Sequence, residues 1–210
     1  MTGHVVDSAS DPVGAVAAAA AELRAGRPVV LPTDTVYGVA ALVGDASAMA
    51  DIFERKGRDA AKPMAVLVAD ANQASDLTEA DLDVLADLWP GPLTVIVPCA
   101  PGARFLPGPL VGELGTIGLR CPDHDLVRAL AAEVGPLATT SANRSGEPSP
   151  TTASEATAVL GGDLLAIDGG SCDGEPSTVV DLTFEPARII REGAIDPAAL
   201  NAAGLGVAPR

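Results

Sequence analysis

Short apolar runs alternate with helix-length segments through most of the chain, and several neighbouring runs have no helix between them. The runs at 28–31, 64–68, 93–97, 116–119, 137–139, 164–167, 178–182 and 188–190 read as strands, and the patterning predicts helices over 12–26, 47–56, 123–134, 152–160 and 197–203. A further helix start is expected at TEAD, residues 78–81, with Leu82, Leu85 and Leu88 on its apolar face. Alternation of this kind demands an α/β fold. The missing crossovers point to a mixed, twisted sheet rather than a strictly parallel one. Residues 1–10 read as a loosely held polar tail, followed by a helix with Ser10 or Asp11 as cap and Pro12 in its first turn. No stretch has the length or composition of an interdomain linker. The tetrapeptide PGPL, at 90–93 and again at 107–110, is turn-like and makes no repeat.

The 210 residues are 48% apolar but only 2% aromatic, so the core is expected to be built from Ala, Val and Leu. The formal net charge of −15 opposes nonspecific nucleic-acid binding, which depends on neutralising phosphates and releasing counterions. It does not exclude a small phosphorylated ligand, because a local basic pocket can sit inside an acidic protein. Cys99, Cys121 and Cys172 are odd in number and far apart, with no CxxC pair. They indicate neither a zinc site nor a disulfide framework. No basic segment precedes an apolar one near the N-terminus, and residues 15–21 are too short to span a bilayer. A cytoplasmic setting without membrane attachment is expected.

The segment LPTDTVYG, residues 31–38, places Thr33, Thr35 and the single tyrosine, Tyr37, just after an apolar strand that Pro32 must end or bulge. It reads either as a Thr-rich strand end or as one wall of a ligand crevice. KGRDAAK, residues 56–62, collects Lys56, Arg58 and Lys62 between a helix and a strand. That is either a solvated basic loop or a triphosphate site, with Arg forking onto phosphoryl oxygens and Lys acting as a mobile point charge. In TIGLR, strand alternation puts Thr116, Gly118 and Arg120 on one face. An arginine there needs an anion or a carboxylate partner. ATTSANRSG, residues 138–146, is dense in small donors and acceptors that suit either an ordinary turn or a phosphate or nucleobase. Ser177-Thr178 and Arg191-Glu192-Gly193 flank strands and carry less information. No GxxxxGK[ST], GxGxxG, GxSxG or HExxH occurs, and His4 and His124 fall in the tail and at a helix start. An enzyme built this way works by holding reactants together and neutralising charge.

The ordered blocks PTDTVYG, KGRDAAKPM, TIGLRCP, TSANRSGEPS, ST and REG resemble the YrdC-like family of threonylcarbamoyl-AMP synthases, from about Gly26 to Ile195. The resemblance implies a YrdC-like catalytic domain over 11–195, an α/β fold whose twisted open mixed sheet with flanking helices surrounds a large concave, positively lined cavity, and a short C-terminal extension over 196–210. It also implies a reaction: L-threonine, bicarbonate and ATP give threonylcarbamoyl-AMP and pyrophosphate for modification of the tRNA adenosine beside the anticodon. Thr35, Arg120 and Thr139 would then contact L-threonine, Arg120 through the carboxylate. Lys56, Arg58, Lys62, Thr116, Ser141, Asn143, Ser149 and Arg191 would border ATP, with Lys56, Arg58 and Lys62 neutralising charge and Mg2+ on the triphosphate. The implied partners are these substrates and a downstream threonylcarbamoyl transferase machinery, with tRNA bound at most weakly or indirectly. Asp34 stands where the family commonly has glutamate, and Leu67 where some members have histidine. The alternatives are a carbamoyl-adenylate-forming enzyme of the same family and an RNA-binding module of translation or ribosome assembly. Residues 145–152, rich in Ser and Pro, are the expected mobile cover.

Overall fold

The sheet begins where the sequence promised no structure. Val5–Asp7, expected to lie in a loose tail, forms a strand (β1) paired in parallel with Leu165–Asp168 (β8). The computed structural model describes residues 4–57, 62–107, 109–112, 114–172 and 174–208. The other strands are Val29–Leu31 (β2), Gly38–Leu42 (β3), Ala65–Leu67 (β4), Leu93–Pro98 (β5), Thr116–Arg120 (β6), Leu137–Ser141 (β7), Thr178–Asp181 (β9) and Arg188–Arg191 (β10). They join one sheet in the order β1-β8-β2-β3-β7-β4-β6-β5-β9-β10. Parallel pairs (β8 with β2, β4 with β6, β5 with β9) mix with antiparallel ones, as the missing crossovers required.

Helices flank the sheet. On one side Pro12–Arg24 (α1) and Asp125–Val134 (α4) bury Ala15, Ala19, Ala20 and Leu23 with Val127, Leu130 and Ala131 against Val29, Leu31 and Ile167. On the other, Ala46–Lys56 (α2) and Ala153–Leu160 (α5) bury Met49, Ile52, Ala156 and Leu160 against Val30, Val39 and Ala166. β2 thus feeds Val29 and Leu31 into one core and Val30 into the other, the two-residue period of a strand covered on both faces. Each fully buried Val, Leu or Ile contributes about 1.5–3 kcal/mol. Alanines on α1 let it approach α4 closely, so a core with few aromatics still fills. Asp11, not Ser10, caps α1 by accepting from Gly14 N at 2.9 Å.

Two further local readings were wrong. β3 was not expected, because GVAAL lacks the β-branched density of its neighbours. It is a strand because β2 and β7 pair with it on either side. The helix expected from Thr78 is absent; only Asp83–Leu85 is helical, as a single 3-10 turn. The Thr78 hydroxyl donates instead to Pro98 O at 2.6 Å and accepts from Ala80 N, holding the segment against the end of β5. The spacing of Leu82, Leu85 and Leu88 suits a three-residue turn as well as a helix. A five-residue helix, Ala71–Ser75 (α3), precedes it, and Pro197–Ala202 (α6) follows the last strand.

Candidate functional site

Thr33, Thr35 and Tyr37 are separated by what their hydroxyls do. Residues 32–37 connect β2 to β3. Within the turn, Thr33 Oγ1 donates to Val36 O at 2.7 Å and accepts from the N–H groups of Thr35 and Val36. That hydroxyl makes the turn. Tyr37, fully buried, donates to Gly170 O at 2.6 Å and accepts from Gly169 N, tying the turn to the end of β8. Burial pushes its pKa up to about 12, so it stays a phenol. Thr33 and Thr35 both line a cavity of about 480 Å³, and of the two it is Thr35, its hydroxyl 3.0 Å from that of Thr33, that accepts from Arg120 Nη1 at 2.9 Å. That volume falls within the ~300–1,000 Å³ usual for small-molecule sites.

The floor of the cavity is one cross-strand row of the sheet with Ala65 and Gly118 at its centre. Register places Thr139, Ala65, Gly118 and Ile96 side by side across β7, β4, β6 and β5, and all four line it. A Cβ added at Gly118 would meet nothing closer than Thr94 Cγ2 at 3.8 Å and Ala65 Cα at 3.9 Å. The protein therefore has room for a side chain at this position, and the absence of one leaves space for a ligand. Gly118→Val is expected to keep the melting temperature within a few degrees while weakening ligand binding at least ~10-fold, since filling the site costs complementarity and not folding. Thermal melts and binding calorimetry check this.

Arg120 sits at the end of β6, 90% or more out of solvent. Both readings of it hold at once. Nη2 pairs with Asp34 Oδ1 at 2.5 Å, Nη1 donates to Thr35, and Nε donates to Gly91 O at 3.2 Å. Three of five N–H groups are used among the described residues, which leaves one on each terminal nitrogen for a carboxylate in the cavity. Burial lowers its pKa, opposed by the Asp34 charge. Arg191 faces the same cavity from β10, where a register shift between Ile189 and Arg191 lets the consecutive residues Ile190 and Arg191 both line it. Its guanidinium donates to Ser177 O at 2.7 and 3.1 Å and to Ser177 Oγ at 3.0 Å, and that hydroxyl lies 2.9 Å from Thr94 Oγ1. Desolvation and the nearby Arg120 charge both lower its pKa. No described carboxylate forms an ion pair with it. Two guanidiniums thus line the site, while Asp34, the carboxylate paired with Arg120, is not among the lining residues, an arrangement that favours an anionic ligand.

The 138–146 loop forms a third wall. Thr139, Thr140 and Ser141 line the cavity, and Ser149 joins them from the following segment. Asn143 lies behind: its Oδ1 accepts from the Ser141 hydroxyl, and its Nδ2 donates to Glu147 O at 2.5 Å and Arg144 O at 2.9 Å. Lys56, the last residue of α2, is 2% exposed. Gly57 stops the helix with φ +56, and the ammonium turns inward to donate to Ser141 O and to Asn143 O at 2.5 Å. Lys56 therefore supports the loop from behind and is not among the cavity-lining side chains. Lys62 is exposed beside the lining residues Pro63 and Met64. Arg58 lies outside the described residues. Thr116 lines the cavity. The chain thus brings Thr35, Thr116, Arg120, Thr139, Ser141, Ser149 and Arg191 together, with Lys56 and Asn143 one layer back. Nothing in the sequence pointed to a site role for Thr94, which lies in an apolar strand, for Met64 at the end of the KGRDAAKPM block or for Leu110 of the second PGPL, all of which line the cavity. Leu67 lines the site beside Arg120, its register partner on β6.

Comparison with known proteins is consistent across three kinds of match. The Sua5/YciO/YrdC family model, described as "Telomere recombination", matches residues 21–193. A threonylcarbamoyl-AMP synthase of Bacillus subtilis is 40% identical over 195 residues, covering 90% of this chain and 55% of that protein. One from Chromohalobacter salexigens is 38% identical over 174 residues, covering 80% of this chain and 92% of that protein. The crystal structure of Pyrococcus abyssi Sua5 complexed with L-threonine matches with a TM-score of 0.86 at 32% identity, covering 97% of this chain and 61% of that one. The chain therefore spans little more than half the length of the Bacillus and Pyrococcus proteins and nearly all of the Chromohalobacter one.

Proposed function

Because the chain belongs to the Sua5/YciO/YrdC family, we propose that it is an L-threonylcarbamoyladenylate synthase, converting L-threonine, bicarbonate and ATP into threonylcarbamoyl-AMP and pyrophosphate. The observation that carries this reading is the convergence of Arg120 and Arg191 on one cavity with hydroxyl walls. Such a site suits two anionic substrates at once. Threonine's carboxylate takes the two remaining N–H groups of Arg120, and the Thr35 and Thr139 hydroxyls border its polar groups. The nucleotide lies toward Thr116, Ser141, Ser149 and Arg191, with Arg58 and Lys62 at the triphosphate and Lys56 and Asn143 shaping the loop beneath it.

The threonine amine attacks the carbon of bicarbonate with loss of water, giving a carbamate. A carbamate oxygen then attacks the α-phosphorus of ATP, and the bond to the leaving pyrophosphate breaks. The described lining contains no histidine or carboxylate, so rate enhancement rests on orientation and on cations facing the developing phosphoryl charge. Mg2+ suits this donor set only as a companion of the triphosphate, held by phosphoryl oxygens and water, where it would supply further charge neutralisation. The labile product passes to a downstream transferase acting on tRNA, and the reaction belongs in the cytoplasm. Among the described residues no helix is long and apolar enough to cross a membrane.

Pyrophosphate release, measured with ATP and bicarbonate with and without L-threonine, tests the proposal. Release that depends on threonine is expected. Release that ignores threonine but responds to another carbamoyl donor favours a carbamoyl-adenylate enzyme, and no release with salt-sensitive RNA binding favours an RNA-binding module. In the same assay Arg58→Ala is expected to lower turnover about 100-fold or more, the usual cost of one preorganised charge at a phosphoryl centre. Unchanged turnover would remove Arg58 from the reaction.

A further inference from the structure

His124 is a half-buried titratable side chain that the reaction above does not use. It occupies the position before α4 in extended conformation, yet its side chain makes no capping hydrogen bond to that helix. Its Nδ1 is buried without a partner, and the other such atom among the described residues is Asp34 Oδ2. The two share one neighbourhood. A Cβ at Gly169 would touch Pro32 Cγ at 2.8 Å on one side and His124 Nε2 at 3.5 Å on the other, so the imidazole packs beneath the turn that carries Asp34. Burial lowers the basicity of His124; Asp34 opposes that more strongly than Asp125 or Asp123, its own sequence neighbours, while Arg128 adds to the lowering. A neutral imidazole has one N–H to give, and a buried carboxylate oxygen without a protein donor needs one, directly or through a water.

We infer that His124 is a positioning residue: its Nδ1–H, across one buried water, completes the hydrogen-bond shell of Asp34, whose other oxygen orients Arg120. The role of Arg120 toward threonine rests on the proposed function, but the link between His124 and Asp34 does not. The chain of contacts runs His124, Asp34, Arg120, Thr35, and ends at the cavity wall. Loss of the histidine donor should therefore loosen the carboxylate, and through it the guanidinium, while the nucleotide end of the cavity is untouched.

The test uses His124→Met, which fills the space without a donor, and His124→Asn, which keeps an N–H at the same branch point. His124→Met should raise the KM for L-threonine about 10-fold with the KM for ATP unchanged, and His124→Asn should recover most of that loss. A double-mutant cycle of His124→Met with Asp34→Asn, read by urea denaturation, should be strongly non-additive. Additive denaturation, or equal behaviour of the Met and Asn variants, overturns the inference whatever the wild type turns over. A wild type without threonine dependence fails the functional reading alone, since the denaturation cycle needs no substrate.

Discussion

Arg120→Gln is expected to abolish threonine-dependent turnover and to weaken the fold at the same time. The guanidinium holds the Asp34 carboxylate at 2.5 Å and the Thr35 hydroxyl at 2.9 Å, with Arg120 and Thr35 buried and Asp34 largely so. Removing the cation leaves Asp34 as an uncompensated buried charge, a change that costs about 3–5 kcal/mol. It also removes the two N–H groups left over for a ligand, so the apparent affinity for L-threonine should fall at least ~100-fold. The two effects separate in the double variant Asp34→Asn/Arg120→Gln, which should regain most of the stability and none of the activity. Urea denaturation and threonine saturation curves at fixed ATP measure each one. A threonine KM unaltered in Arg120→Gln would exclude the arginine from that subsite. Arg120→Lys should fail in the same direction, because a single ammonium cannot meet Asp34, Thr35 and a substrate carboxylate together.

Lys56→Met carries the second large effect. A lysine in a basic loop reads from the sequence as one more charge for a triphosphate. In the fold its ammonium is buried and donates to the carbonyls of Ser141 and Asn143, clamping the end of α2 to the loop after β7. Charge-assisted hydrogen bonds to two carbonyls are worth roughly 3 kcal/mol together, and their loss leaves both oxygens without those donors. We expect a lower urea midpoint together with weaker ATP binding, because Ser141 faces the cavity from the same loop. A group that only neutralised phosphate would lose ATP affinity with stability intact, so denaturation and nucleotide calorimetry on the one variant separate the two roles. Unchanged stability would contradict the clamp.

Much of the architecture could be read from local pattern. The alternation of apolar runs and helices specified a mixed α/β sheet, and the paucity of aromatics specified a core of small aliphatic residues. The misreadings share a cause. GVAAL became a strand, and Val5–Asp7 joined the sheet, because distant partners supplied ladder hydrogen bonds that neither segment advertises. Thr78 gave up a helix cap for a carbonyl on β5. In each case a non-local hydrogen bond outweighed a weak local preference.

For the site, the sequence by itself determined the inventory: which threonines, arginines and small residues were available, in what order, and that no histidine-based or metal-clustered catalysis was encoded in a standard motif. Strand alternation even placed Thr116, Gly118 and Arg120 on the face that lines the cavity. What only the tertiary structure decided is which of those groups remain available to a ligand. Tyr37 is committed to Gly170, Lys56 to two carbonyls, Arg120 in part to Asp34 and the Thr33 hydroxyl to its own turn, while Thr33, Thr35 and Arg191 all line the cavity. Residue types and spacing specify what a group can bond to. Its availability depends on partners that only folding brings within reach, such as Ser177 for Arg191 and Asp34 for Arg120.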